Sequence, residues 1–310
     1  LGAAGGDVTK GLGILSEISE EQQSRAIRLA TEGKVSLALA DDVPPVYISV
    51  TAYGGEHSCE AVISGEHSRF AYLRRDDDVL LSLVLASKDE RPQHDDITSD
   101  MIANLSLAEI VHAADSIDPE EFLFVLQGAH TNLAIAEHAM DAEYGLRVGK
   151  TMGMDIPEPP STIGDAYALG AALAAAASDA RMAGCPLPVV INSGSGNQGI
   201  TVSVPVLIMA RFLDTDEDHL IRALCISHLV ALVLTAKKDR LSALCGAFTA
   251  AIGAACALAY LQGGDVEAMD RAVNNMVGNL TGIICDGAKG TCALKIYSSV
   301  EAAAISCRLA

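Results

Sequence analysis

Gly282-Ile-Ile-Cys285-Asp-Gly-Ala-Lys289-Gly-Thr-Cys292-Ala-Leu-Lys295, read with Leu244-Cys245-Gly246, is the stretch around which this 310-residue chain is arranged. Cys245 stands at the head of an apolar run, and Cys285 and Cys292 flank a short glycine loop. Gly282, Gly287 and Gly290 let the backbone turn tightly and approach a bulky ligand, because glycine tolerates conformations that side chains exclude. Past Cys292 the pattern Ala-Leu-Lys-Ile-Tyr-Ser-Ser-Val-Glu-Ala-Ala-Ala predicts a helix with Cys292 at its N-terminus. The positive dipole end there favours a thiolate or an anionic cluster.

Three thiolates are one short of a closed structural metal site, and an open coordination position is what a Lewis-acid catalyst uses. None of the compact Cys-x-x-Cys spacings is present. The residues alone therefore leave two readings: a metal centre with an open position, or three buried cysteines belonging to a core.

Ser193-Gly-Ser-Gly-Asn-Gln-Gly199, Leu244-Cys245-Gly246 and Ile284-Cys285-Asp-Gly-Ala-Lys289 with Cys292-Ala-Leu-Lys295, in this order, resemble the L-cysteine desulfidase family, relatives of the iron–sulfur L-serine dehydratase alpha chain. The resemblance runs over most of the chain. It implies a [4Fe-4S] cluster held by Cys245, Cys285 and Cys292, with the fourth iron free to bind substrate. It also implies a lyase acting on a small amino acid, turning L-cysteine into sulfide, pyruvate and ammonia, or L-serine into pyruvate and ammonia. The family carries a further N-terminal segment with a Leu-Gly-Cys-Thr-Glu-Pro-like stretch, thought to hold the proton-abstracting group, and it continues beyond Arg308-Leu-Ala310. Against that pattern the chain is expected to be a fragment whose general base lies elsewhere.

Composition narrows the classes independently. Half the residues are hydrophobic, yet aromatics are only 4% and Trp is absent. Alanine and glycine supply much of the apolar count, which suits closely packed helices. A net charge of −19, from 21 basic and 40 acidic residues, argues against nucleic acid, which requires clustered Lys and Arg. It also disfavours an anionic membrane surface. Eight cysteines in a chain of this length fit a reducing cytoplasm better than a disulfide scaffold. The longest apolar run, Ala223 to Ala236, is interrupted by His228. It is short of the roughly 20 strongly apolar residues of a spanning helix, so a buried helix is expected.

Along the chain, Ser19-Glu-Glu-Gln22 reads as a capping box for a helix that stops at Gly33. Apolar or alternating runs follow at Val35–Leu39, Val46–Tyr53, Cys59–Ile63, Phe70–Leu73 and Val79–Leu85, separated by turn residues, and predict a small meandering sheet. The polar stretch Ser87–Asp96 reads as a linker. Beyond it the signal is helical. Ser106-Leu-Ala-Glu109 is a second capping box, and Asp118-Pro119-Glu-Glu121 starts a helix expected to reach Tyr144. A loop is expected over Thr151–Ser161 and further helices over 166–183, 217–236, 240–262, 265–280 and 292–308. The fold class is α+β, with a small α/β unit over 1–95 (a helix plus a meandering sheet) and a mainly α-helical core domain over 96–310.

Gly194-Ser-Gly-Asn-Gln-Gly199 matches Gly-x-Gly-x-x-Gly and follows the strand-like Leu187–Ile191. A nicotinamide site needs alternating strand and helix units that are missing here. The loop reads instead as a polar turn whose amides and Ser193, Ser195, Asn197 and Gln198 side chains grip a substrate carboxylate, or as a plain helix-entry turn. Lys289 is a candidate to neutralise substrate carboxylate or cluster charge, with Asp286 orienting a ligand by hydrogen bonding; both also suit a solvated loop pair. Cys225, Cys256 and Cys307 fall in helical patterns and read as core. Cys256 is some 16 Å along a helix from Cys245, too far to share a metal. His57, His67 and His94 read as solvated, and His112, His138 and His228 as residues within helices.

The expected partner is a small amino acid, with no nucleic acid and no membrane; a homodimer is a possible assembly. The alternatives to the lyase are a structural zinc-binding protein using the same cysteines and a non-catalytic amino-acid-sensing module.

Overall fold

Four of the apolar runs become strands because each finds an antiparallel neighbour: β1 (Tyr47–Gly54), β2 (His57–Ser64), β3 (Phe70–Arg75) and β4 (Asp78–Ser82) lie in the order β1-β2-β3-β4. The register runs from Tyr47 opposite Ser64 to Gly54 opposite His57, and from Cys59 opposite Arg75 onward. The structure is a computed structural model and describes residues 1–44, 46–65, 69–83, 101–238 and 242–310. It divides into two units, Leu1–Asp96 and Ile97–Ala310. The fold is α+β, a helical core with a small N-terminal sheet.

The N-terminal unit also holds α1 (Gly2–Gly5) and α2 (Glu20–Thr31). Ser19 caps α2 as read, its hydroxyl accepting from the Gln22 amide while the Gln22 side chain accepts from the Ser19 amide. Val35–Leu39 does not join the sheet: the run is irregular, and Leu37 and Leu39 are 100% and 97% exposed. An alternating pattern only offers a strand, and it becomes one when a neighbouring edge takes its amides and carbonyls. The linker read at Ser87–Asp96, with His67 and His94, lies outside the described residues.

The second unit contains α3 (Leu107–Ser116), α4 (Leu123–Asp141), α5 (Val148–Gly153), α6 (Ile163–Met182), α7 (Gly196–Phe212), α8 (Glu217–Lys238), α9 (Gly246–Leu261), α10 (Val266–Leu280) and α11 (Cys292–Arg308). Helix α6 packs against α4, α5, α7 and α11, and α9 packs against α7, α8, α10 and α11. Encased on several sides, α6, α7 and α9 are apolar nearly all round rather than striped. Small residues let these axes approach closely. A Cβ on Gly253 would lie 2.2 Å from the Ser227 carbonyl oxygen, and one on Gly170 would lie 3.0 Å from the Cα of Pro205, inside α7.

Helix α8 is long and apolar enough to cross a bilayer by length and composition, yet 56% of its apolar window is buried inside this unit. It occupies the place of a core helix against α7 and α9.

Three sequence expectations shift. The helix begun at Asp118 opens as a 3-10 turn, Pro119–Phe122, and its α-helical part ends at Asp141 rather than Tyr144. A short helix, α5, occupies the start of the expected 151–161 loop. The segment Leu187–Ile191 is irregular, not a strand. Its central peptide pairs with a side chain: Asn132 Nδ2 donates to the Val190 carbonyl at 3.1 Å, and the Val190 amide donates to Asn132 Oδ1 at 2.8 Å.

Candidate active site

The helix expected over 240–262 starts only at Gly246, because the residues before it form a main-chain pairing instead. Leu244 lies antiparallel opposite Ile284. The Cys245 amide donates to the Ile283 carbonyl and the Cys285 amide to the Ala243 carbonyl, both at 2.7 Å. Directly opposed residues share a face and neighbours alternate, so this register sets Cys245 and Cys285 diagonally on one face. Such diagonal pairs lie about 7–8 Å apart at Cα. Positive φ at Gly282 (141°) and Gly287 (94°) lets the return strand and the loop turn as required.

Two of the three thiols stand at helix N-termini. Cys245 is the N-cap of α9, with no side-chain cap hydrogen bond; Cys292 is the first residue of α11. Cys245 is buried, Cys292 half-buried and Cys285 exposed. Burial pushes the Cys245 thiol up, the Ala247 amide pulls it down, and the charges of nearby Cys285 and Cys292 raise it again. Cys285 and Cys292 thus each lie within electrostatic range of Cys245.

Two lysines brace the pairing from opposite sides. Lys238 Nζ donates to the Leu244 carbonyl at 3.1 Å, and Lys295 Nζ donates to the Ile284 carbonyl at 3.1 Å. Burial lowers the Lys238 pKa against the opposing pull of Cys245 and Cys285. Asp286 joins Lys289 at 2.5 Å and also pairs with Lys295. Those two ammonium groups, Lys289 foremost, hold its carboxyl far below the usual range. Lys289 is therefore engaged within its own loop, about half exposed.

The glycine turn is equally defined. Asn192 and Ser195 exchange amide–carbonyl bonds of 3.1 and 2.9 Å across Ser193 and Gly194, whose φ values are 51° and 79°. Two successive left-handed residues are what a tight two-residue reversal of this hand needs. Ser195 then caps α7, its Oγ accepting from the Gln198 amide. Ser193 Oγ donates to Asn192 Oδ1 at 2.8 Å. Asn197 Oδ1 accepts from Ser178 and from Arg181, both at 3.3 Å. Gln198 is buried, with Oε1 accepting from Thr235 Oγ1 at 3.3 Å. Its carboxamide lies over Gly246, where a Cβ would come within 2.4 Å of Nε2. The glycine turn and the Cys245 segment therefore meet through one side chain, with Lys289 apart from that contact in its ion pair.

Sequence reasoning missed Arg181, Thr235 and Asn192. The one signal for Arg181 was a lone cation ending an alanine-rich helix. Asn192 Nδ2 donates both to the His228 carbonyl and to His228 Nδ1, which fixes the ring hydrogen on Nε2. Cys225 and Cys256 are buried and Cys307 half-buried in their helices, as read.

The donor set can be tested against a metal group. Among the described residues no group of three or more His, Cys, Asp or Glu side chains is placed to hold a metal ion. Three cysteines beside two helix N-termini and two flanking lysines are the donor type that iron–sulfur groups take.

The chain belongs to the serine dehydratase alpha chain family, whose sequence pattern it matches over residues 9–310. That family is one of serine dehydratase-like iron–sulfur lyases. Its relatives include the UPF0597 protein of Oleidesulfovibrio alaskensis, 40% identical over all of this chain and 71% of that protein. The UPF0597 protein of Cutibacterium acnes is 38% identical over 98% of this chain and 84% of its own length. That of Aeromonas hydrophila is 39% identical over 100% and 69%. No solved structure matches the chain.

Proposed function

We propose that this chain carries the cluster- and substrate-binding residues of a cytoplasmic lyase that eliminates across Cα–Cβ of L-cysteine or L-serine. The observation that carries the reading is the main-chain pairing of Leu244 with Ile284, which brings Cys245 and Cys285 to one face with Cys292 in electrostatic range. Cys245, Cys285 and Cys292 would hold a [4Fe-4S] cluster, which when bound supplies an open iron as Lewis acid for the departing sulfur or oxygen.

The remaining roles belong to the protein. The two helix N-termini and Lys238 and Lys295 balance negative charge gathered at the thiolates. The turn carrying Ser193, Ser195, Asn197 and Gln198 orients the substrate carboxylate, with Gln198 nearest the cysteines. Lys289 contributes positive charge to the loop when Asp286 releases it. None of these residues is assigned the α-proton abstraction.

Anaerobic reconstitution with iron and sulfide, followed by assays of pyruvate and sulfide from L-cysteine and pyruvate from L-serine, tests the proposal. A brown, iron-containing protein that releases these products is expected. Product release without iron, or a cluster retained after all three cysteines become serine, would contradict it.

A further inference from the structure

Thr291 stands where a capping residue is expected, at the N-cap of α11, and does not cap. At Ser19, Ser106, Thr162 and Ser195, the N-caps of four other helices, the hydroxyl accepts from an amide of the first turn. Capping of that kind goes with extended backbone at the cap. Thr291 is already helical, with φ −67° and ψ −5°. Its Oγ1 is shielded from water and has no hydrogen-bond partner among the described residues. Three carbonyls just before it are taken. That of Gly287 receives the Cys292 thiol at 3.8 Å, that of Lys289 the Cys292 amide at 2.9 Å, and that of Gly290 the Ala293 amide at 3.3 Å. A buried hydroxyl without an acceptor costs free energy that native proteins rarely leave uncompensated. This one immediately precedes Cys292 in the loop that starts at Cys285.

We propose that the Thr291 hydroxyl donates to a sulfur of the iron–sulfur group bound at Cys292, so that the loaded protein satisfies a donor the chain alone leaves unpaired. The inference rests on the lyase reading for the presence of that group. Thiolate and sulfide sulfurs carry no proton there and only accept, which matches a hydroxyl donor. A hydrogen bond to sulfur is one of the determinants of reduction potential, because it stabilises the more negative, reduced state more than the oxidised one. Two further orphaned hydroxyls of α11, Ser299 and Ser306, are fully buried. They lie roughly 12 and 22 Å further along the helix, out of reach of the same group.

The test compares Thr291→Val, which keeps the shape and removes the hydroxyl, with Thr291→Ser, which retains it, and with Ser299→Ala as a control on the same helix. In the iron-free chain, urea unfolding should place Thr291→Val at or above the parent midpoint, since the hydroxyl has no partner to lose. After anaerobic reconstitution with iron and sulfide, a redox titration followed by electron paramagnetic resonance reads the ratio of reduced to oxidised cluster at a fixed potential. That ratio should fall about five-fold in Thr291→Val, the weight of one net hydrogen bond and about 40 mV at about 59 mV per tenfold. Thr291→Ser and Ser299→Ala should stay within about two-fold of the parent. Iron uptake lost in Thr291→Val and kept in Thr291→Ser would support the proposal in a stronger form.

A lower midpoint for iron-free Thr291→Val, a parental ratio in that variant once loaded, or equal losses in the Val and Ser variants each overturns the proposal. The outcome is separable from the lyase reading. A parent chain that takes up no iron defeats both together. A loaded parent that turns over substrate, with a Thr291→Val variant of unchanged potential, defeats this inference alone.

Discussion

Asn132→Ala removes a side chain that is 1% exposed and makes three hydrogen bonds. Two of these hold both main-chain groups of Val190, and the third runs from Asn132 Nδ2 to Ser203 Oγ at 3.0 Å. Ser203 keeps its bond to the Gly199 carbonyl at 2.7 Å, so its loss is partial. Val190 loses both main-chain partners. At about 1 kcal/mol net per bond the sum is near 3 kcal/mol. Water reaching the 38% exposed Val190 lowers it and the vacated volume raises it, giving an expected loss of about 2–4 kcal/mol. Urea unfolding followed by helical circular dichroism measures this as a lower midpoint at constant slope. His130→Ala, exposed on the same helix, should stay within about 0.5 kcal/mol of the parent. A loss below about 1 kcal/mol for Asn132→Ala would refute the idea that this amide anchors the segment leading into the glycine turn.

Other outcomes follow from the same geometry. Cys285→Ser or Cys292→Ser should abolish iron retention after anaerobic reconstitution, whereas Cys256→Ser, on a fully buried core residue, should leave iron content unchanged. Burial lowers the His228 imidazole to about 4 in the folded protein. The unfolded chain, with its ordinary value near 6.5, then binds more protons between those two pH values. Stability should be complete above about pH 6.5 and fall as pH drops towards 4, by up to about 3 kcal/mol; His228→Gln should flatten that slope in acid unfolding curves. Gly253→Ala forces a methyl group to 2.2 Å from the Ser227 carbonyl oxygen. An overpacking penalty of about 3 kcal/mol less about 1 kcal/mol of helix propensity predicts a midpoint shift worth about 2 kcal/mol.

Features governed by near neighbours could be read from the sequence. Ser19 and Ser106 cap the helices they were expected to cap. Capping is settled within a few residues of chain. The meander was legible for the same reason, each strand pairing with the next. Leu187–Ile191 misled because the groups that satisfy Val190 come from Asn132, 58 residues earlier. Val35–Leu39 misled because an alternating pattern only offers a strand, and no strand of the described sheet pairs with it. At the site, the cysteines were marked by glycine-rich surroundings and the Gly194–Gly199 loop by its polarity. Thr235 and Lys238 were not, since each sits in a helix whose sequence reads as ordinary core and end. Nor does sequence alone show that Gly246 owes its smallness to Gln198.

The clasp between the two cysteine segments is made of peptide groups, and that separates two demands on the chain. Leu244 and Ile284 turn outward, 44% and 74% exposed, so the spacing of the thiols is indifferent to the side chains at the clasp itself. Those two positions can drift to other extended-backbone residues without disturbing what sits above them. Proline at 245 or 285 cannot be accommodated, because each of those residues contributes the single N–H that closes one side. The chain can thus vary its outer surface freely around a pair of cysteines whose spacing is written in the backbone.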